Sequence, residues 1–355
     1  KADSLYYNTQ FKEARFIAPT RIVTKDGGII NTSNGIYNLE TGNAFFYDQT
    51  GYADSLRSAS GKNMAYDETT GILQIEGNGK IVDSANKVIA LGDLILLDKN
   101  KNSFLATQKP VMIFYSDTDS TYIAADTLFS GLRVYDSVSR KTKIVQDSSL
   151  RNISIDSVAA TSNPKQDSVR YFLAFHNVRI FNDSIQAVSD SLFYSTEDSV
   201  FRLFQNPVVW NGKSQLSGDT MYLFTKNSQA DKMYIFNNAL AINEDQENIY
   251  NQGGARTLHA FFEGGKINYT RLKGSPAESI FYTKDADSAY VGMNRSSSDV
   301  IDVYFKNDEV IKIKFVNEVD GVLYPMTQIP LDKKTLPNFD WQDRRRPKNY
   351  LELFE

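Results

Sequence analysis

Aspartate and serine stand side by side along this chain, at Asp54-Ser55, Asp83-Ser84, Asp147-Ser148, Asp167-Ser168 and Asp198-Ser199. A carboxylate beside a hydroxyl offers hard oxygen donors, the ligand type that calcium takes. The pairs lack the short glycine-aspartate period of calcium-binding β-rolls, and each lies beside the start of a strand-like run. They read as turn and strand-start chemistry, in which Asp and Ser bond nearby backbone groups. The two histidines, His176 and His259, are far apart in sequence. Zinc wants three or four His, Cys or carboxylate ligands together, so His176 reads as a solvated turn residue. There are no cysteines, which excludes disulfides, thiolate metal sites and cysteine nucleophiles. No Gly-x-Ser-x-Gly elbow presents a serine. Among 43 acids, no pair sits in an apolar run of the kind that tunes glycoside chemistry. The triplets at Asn152-Ile153-Ser154, Asn182-Asp183-Ser184 and Asn268-Tyr269-Thr270 match the glycosylation pattern and are assigned nothing. Arg344-Arg345-Arg346 reads as part of a solvated tail. The expectation is a protein without catalytic residues, cofactor or metal.

What remains once chemistry is subtracted is repetition. Asp3-Ser4-Leu5-Tyr6, Asp126-Thr127-Leu128-Phe129, Asp190-Ser191-Leu192-Phe193 and Asp219-Thr220-Met221-Tyr222 are versions of one phrase. Looser copies occur at Gly35-Ile36-Tyr37, Asn63-Met64-Ala65-Tyr66 and Gly92-Asp93-Leu94. A phrase recurring at intervals of roughly thirty residues marks a stacked array, and arrays work through long surfaces or grooves. Residues 2–30, 31–59, 60–89 and 90–121 form four consecutive units. Each carries an alternating run, a polar turn such as Glu68-Thr69-Thr70-Gly71, and a second alternating run such as Leu73-Gln74-Ile75. Period-two alternation bounded by Asn, Asp, Gly and Thr predicts paired half-buried strands. The fold class expected is all-β. We divide the chain into β-repeats over 1–135, a polar insertion or loop over 136–169, further repeats with C-terminal hairpins over 170–324, and an irregular tail over 325–355.

The buried face follows from a marker. Counting back three and five residues from a turn-proximal Asn or Pro gives Phe16 and Ala14, Ile75 and Leu73, Ala174 and Phe172, Leu203 and Phe201. Their neighbours Arg15, Gln74 and Arg202 are polar, so one side of each strand is apolar and the other solvated. Adding the apolar residues of the repeated phrase extends the line to Leu5, Ile36, Ala44, Phe46, Met64, Leu94, Phe104, Leu128, Leu192 and Met221. Stacked units would join these residues into one seam, either a trough or a closed core. Composition allows it, with 41% hydrophobic and 12% aromatic residues in 355. The formal net charge of −4 leaves no basic field for nucleic acid. No apolar run approaches the ~18 residues of a membrane-spanning helix. The chain opens within a repeat, which suggests a mature fragment whose signal peptide and further repeats lie upstream.

The ordered series Ala174-Phe175-His176-Asn177-Val178-Arg179, Asp190-Ser191-Leu192, Pro207-Val208-Val209-Trp210, Tyr250-Asn251-Gln252, Gly292-Met293-Asn294 and Leu323-Tyr324-Pro325-Met326 resembles the OstA-like family of Gram-negative bacteria. These are organic-solvent-tolerance and lipopolysaccharide-transport proteins, and the likeness is strongest to the long multi-repeat members of the Bacteroidetes. It covers essentially the whole chain. The resemblance implies a periplasmic, elongated, V-shaped β-jellyroll with an open, solenoid-like groove that shields lipopolysaccharide acyl chains. It also implies envelope-transport partners joined by β-addition at end strands, head-to-tail self-association, and no catalytic residues. The insertion and the tail depart from the family pattern, so a bridging or accessory role is expected. Two other readings stay open. One is a structural or protein-interaction β-solenoid without lipid cargo; the other is a carbohydrate-active repeat enzyme.

Overall fold

The computed structural model describes residues 1–24, 27–116, 119–135, 167–226 and 229–355. The expected insertion lies outside these, except that residues 167–169 open the strand Asp167–Phe181. The Asn152 triplet and Asp147-Ser148 also lie outside them. The protein is all-β: among the described residues 27 strands form one continuous antiparallel sheet, followed by four short 3-10 turns in the tail.

The sheet is creased along its length into two walls. Wall I begins with the strands Leu5–Asn8, Glu13–Phe16, Asn34–Asn38 and Asn43–Tyr47, hydrogen-bonded in that order. Wall II begins with Thr20–Val23, Ile29–Thr32, Thr50–Ala53 and Arg57–Gly61. Longer strands belong to both. Ile72–Asp83 pairs with Asn63–Asp67 on wall I through its first half and with Arg57–Gly61 on wall II through its second.

Pairs of consecutive left-handed residues make the crease. They are Asp48-Gln49, Gln108-Lys109, Gln205-Asn206 and Asn317-Glu318 between strands, and Gly77-Asn78, His176-Asn177 and Asn237-Asn238 within strands as bulges. Such bulges redirect a strand, and Asn tolerates positive φ better than most residues. The aspartates of the repeated phrase clamp these pairs from the adjoining strand. Asp126 accepts from the Asn177 side chain through both oxygens at 3.1 and 3.0 Å, and Asp219 accepts from Asn238 at 3.0 and 3.1 Å. Asp299 accepts from Asn317, and the backbone amide of Asp126 donates to His176 O at 3.0 Å. At the far tips of wall I, Asn8, Asn38 and Asp67 each accept two backbone amides and close the turn.

The tail is a strap. It runs back along the outer face of wall II, away from the last strands. Leu336 is buried with Leu240, Ile242, Ile280 and Met293, and Gln252 ties both Lys334 O and the Leu336 amide. Further along, Gln215 holds Asp340 O and the Gln342 amide. Leu353 finally reaches Val111 and Ala124, with Tyr350 stacked on Tyr122 at 5.0 Å. Arg344 and Arg345 are exposed as expected of a solvated tail, but Arg346 is not: it donates to Gln186 Oε1 through Nε and Nη2 at 2.8 and 2.6 Å.

Candidate functional site: the face between the walls

Strand register carries two unbroken rows of side chains across wall I, both facing wall II. The first runs Leu5, Phe16, Gly35, Phe46, Met64, Ile75, Ile95, Ala106 and Leu128, then Ala174, Leu192, Leu203 and Met221, and on to Ile235, Leu258, Leu272, Ile301 and Phe315. The second, two residues further from the crease, includes Ala14, Tyr37, Ala44, Tyr66, Leu73, Leu97 and Phe104, then the buried Ser130, then Phe172, Tyr194 and Phe201. Alternation of the pleat puts both rows on one face. Wall II answers them with Ile30, Tyr52, Ile81, Met112, Ile180 and Val209, and all of these join one core cluster.

Of the seam residues named from sequence, Ala14, Phe16, Ala44, Phe46, Met64, Leu73, Ile75, Phe104, Leu128, Phe172, Ala174, Leu192, Leu203 and Met221 are buried between the walls. Phe201 is half-buried against the same cluster. Leu5 lies on the first row but is 50% exposed, because its strand is the end of wall I. Two residues are corrected. Ile36 and Leu94 point to the outer face, and Gly35, Ile95 and Leu97 hold the inner positions. A one-residue slip exchanges the faces of a strand.

The walls meet through aromatic rings where Phe114 of wall II faces Phe172, Tyr194 and Phe201 of wall I, with ring centroids 5.0, 5.3 and 5.9 Å away. Beside this contact is a cavity of about 60 Å³, lined by Ile180, Ile185, Ala187, Leu203 and Val209 and, towards the wall tips, by Asp119, Thr121, Asn182, Ser184, Thr225 and Gln229. In front of it, at the mouth between the wall tips, lies a larger cavity of about 370 Å³. Asn86, Lys87, Ser116, Asp119 and Thr225 supply its polar lining, and Phe201 borders both spaces. Both spaces are part apolar and part polar, and Asp119, Thr121 and Thr225 border the two together. Burial raises the Tyr194 phenol above its ordinary value, so it stays neutral at physiological pH.

The outer face of wall I is less polar than its sequence suggests. The row through Arg15, Gln74 and Arg202 also carries Ile36, Phe45, Leu96, Leu105, Phe129, Leu173 and Phe193. Arg202 is packed between the rings of Phe193 and Tyr222, 5.4 and 5.3 Å from their centroids. His176 is exposed and meets Asp190 at 3.1 Å, while His259 stacks on Tyr234 at 4.3 Å. Burial holds His259 below its ordinary pKa. Among the described residues no three His, Asp or Glu side chains converge as a metal site. Compared with protein-family models and with curated proteins, the chain matches none.

Proposed function

We propose that this protein is a non-enzymatic carrier that shelters the acyl chains of an amphiphile, lipopolysaccharide or a related lipid, between its two walls. The OstA-like resemblance supports a periplasmic setting for that work, on the way to the outer membrane. The observation that carries the reading is the continuity of the first inner row, which runs without a polar residue from Leu5 to Phe315, beside a second row interrupted only at Ser130 and Thr270. Each CH₂ withdrawn from water is worth ~0.8 kcal/mol, so a chain of about twelve carbons gains roughly 9 kcal/mol from such shelter. The edge strands Leu5–Asn8 and Glu309–Val316 of wall I and Asp320–Pro325 of wall II suit β-addition to neighbouring envelope proteins or to a second copy.

A second reading, an assembly scaffold without cargo, is favoured by one observation. The middle of the seam is filled by the protein's own side chains, with Ile75, Ile95 and Met221 fully buried. Photo-crosslinking in cells separates the two. A benzophenone side chain at Phe201 or Phe172 should capture lipid, and one at Arg202 or Tyr222 on the outer face should not. Lipid capture from the outer positions alone, or protein capture from every position, would overturn the carrier.

A further inference from the structure

Three charged side chains bridge the mouth at the wall tips. Arg57 and Asp83 are cross-strand partners on wall II, and Arg170 lies on wall I. Their side chains are 4%, 5% and 6% exposed. Arg57 reaches across to Asn102 O at 3.1 Å. Arg170 donates to the same carbonyl at 3.3 Å, to Asn102 Oδ1 at 3.1 Å and to Ser130 Oγ at 3.0 Å.

The carboxylate is overcommitted. Asp83 Oδ2 lies 3.8 Å from Arg57 Nε and 3.5 Å from Arg170 Nε, too far to accept from either. Its oxygens are held instead by Asn86, whose amide and Nδ2 donate at 2.9 to 3.1 Å. Asp54, the next acid towards Arg57, is occupied by the Tyr52 hydroxyl and the amides of Leu56 and Arg57. Both Nε–H groups are therefore buried donors without an acceptor. Burial and then the charge of Arg57 push the Arg170 pKa down to about 10, and Asp83 offsets this only in part. Asn86, which anchors Asp83, also lines the mouth cavity of about 370 Å³.

We propose that Arg57 and Arg170 form a binding site for a phosphate-type oxyanion, which displaces Asp83 and Asn86 and enters through the mouth cavity. Two guanidinium forks match the tetrahedral oxygens of a phosphate better than one shared carboxylate does. A lipid phosphate headgroup would deepen the carrier reading, whereas free phosphate would occupy the site whether or not that reading holds.

Calorimetry on the intact protein tests the site, with inorganic phosphate against chloride at matched ionic strength. Wild type should bind phosphate, Arg170→Gln or Arg57→Gln should bind at least about tenfold more weakly, and Asp83→Asn about tenfold more tightly. Arg170→Lys, which keeps charge but loses the fork, replaces Arg170→Gln if that variant does not fold. Asp83→Asn should also gain more in unfolding temperature from phosphate than wild type, a response that a purely structural ion pair lacks. Equal affinity in all variants means an adventitious ion only and overturns the proposal, as does no binding. A second arm compares dihexanoyl phosphatidic acid with dihexanoyl phosphatidylcholine. Preference for the first that the arginine variants abolish upholds the site with a lipid headgroup as ligand. Phosphate binding without that preference upholds it for the free ion. Lipid binding that the arginine variants leave intact speaks for the carrier alone and counts against this site.

Discussion

Replacing Asn177 separates the two contributions that hold the crease. Its φ is 52°, after His176 at 59°, and its side chain donates to both oxygens of Asp126. Alanine removes those exposed, charge-assisted bonds, worth together about 1 kcal/mol. It also leaves a Cβ in the left-handed region without a polar side chain to compensate, for about 1 kcal/mol more. Glycine loses the bonds and keeps the conformation, so Asn177→Ala should cost about 2 kcal/mol and Asn177→Gly about 1 kcal/mol. An array unfolds unit by unit, so a whole-chain unfolding midpoint would blur the effect. Hydrogen exchange of the Asp126 amide, which donates to His176 O, reads it locally. Its protection should fall about thirtyfold in the alanine variant and about fivefold in the glycine variant, at 1.4 kcal/mol per tenfold. Equal losses would refute the strain argument, and unchanged exchange in both would refute the clamp.

Two further tests probe the fold. Ile75→Ala should destabilise by ~2–5 kcal/mol, whereas Leu94→Ala on the outer face should cost under about 1 kcal/mol; comparable losses in urea melts would contradict the register. Asp302 is held below its ordinary carboxylate pKa by hydrogen bonds from Arg271 and Tyr269, at 2.7 to 2.9 Å. Its contribution to stability is therefore complete above the unfolded value of about 4 and is lost as pH falls through the lowered folded value. Asp302→Asn should be less stable at neutral pH and should flatten the acid limb of the stability profile, and an unchanged limb would rule out the linkage.

The marker that revealed the inner face worked for a physical reason. Asn78, Asn177 and Asn206 are left-handed crease residues, so counting back three and five lands on inward positions of the strand before the bend. It failed where alternation was hidden. Leu94, Ile95, Leu96 and Leu97 are all apolar, and such a run carries no parity. At Gly35 the inner position is closed to any Cβ, which would stand 2.7 Å from Phe45 O and Phe46 Cδ1. The nearest large apolar residue, Ile36, therefore belongs to the other face. Wall II was harder to see because its outward residues are polar yet covered. Gln186, Gln215 and Gln252 are buried, and each binds the tail rather than water. Short-range patterning holds no trace of a strap whose bonds to wall II span 38 to 174 residues of sequence. The Asp-Ser pairs were legible as local backbone chemistry, which Asp54 and Asp198 make, whereas Asp126 and Asp219 of the repeated phrase bond side chains. Their partners across the crease, Asn177 and Asn238, are set by register between strands.

A filled seam does not by itself oppose cargo. An acyl chain that replaces wall-to-wall contacts offers the same apolar surface, so the exchange is nearly neutral in transfer free energy. What opposes loading is the contact to be broken first, and at the mouth that is the aromatic contact of Phe114 with Phe172, Tyr194 and Phe201. Under the carrier reading, Phe114 governs access more than affinity, because the chain once inside still lies against the full inner rows. Phe114→Ala widens the mouth cavity that Phe114 lines and should speed lipid capture at Phe172 several-fold, with little change in the amount captured at saturation. Phe114→Trp should slow it. If both substitutions scaled the saturating yield and left the rate alone, Phe114 would be part of the bound-lipid surface, and the gate would have to lie elsewhere along the wall tips.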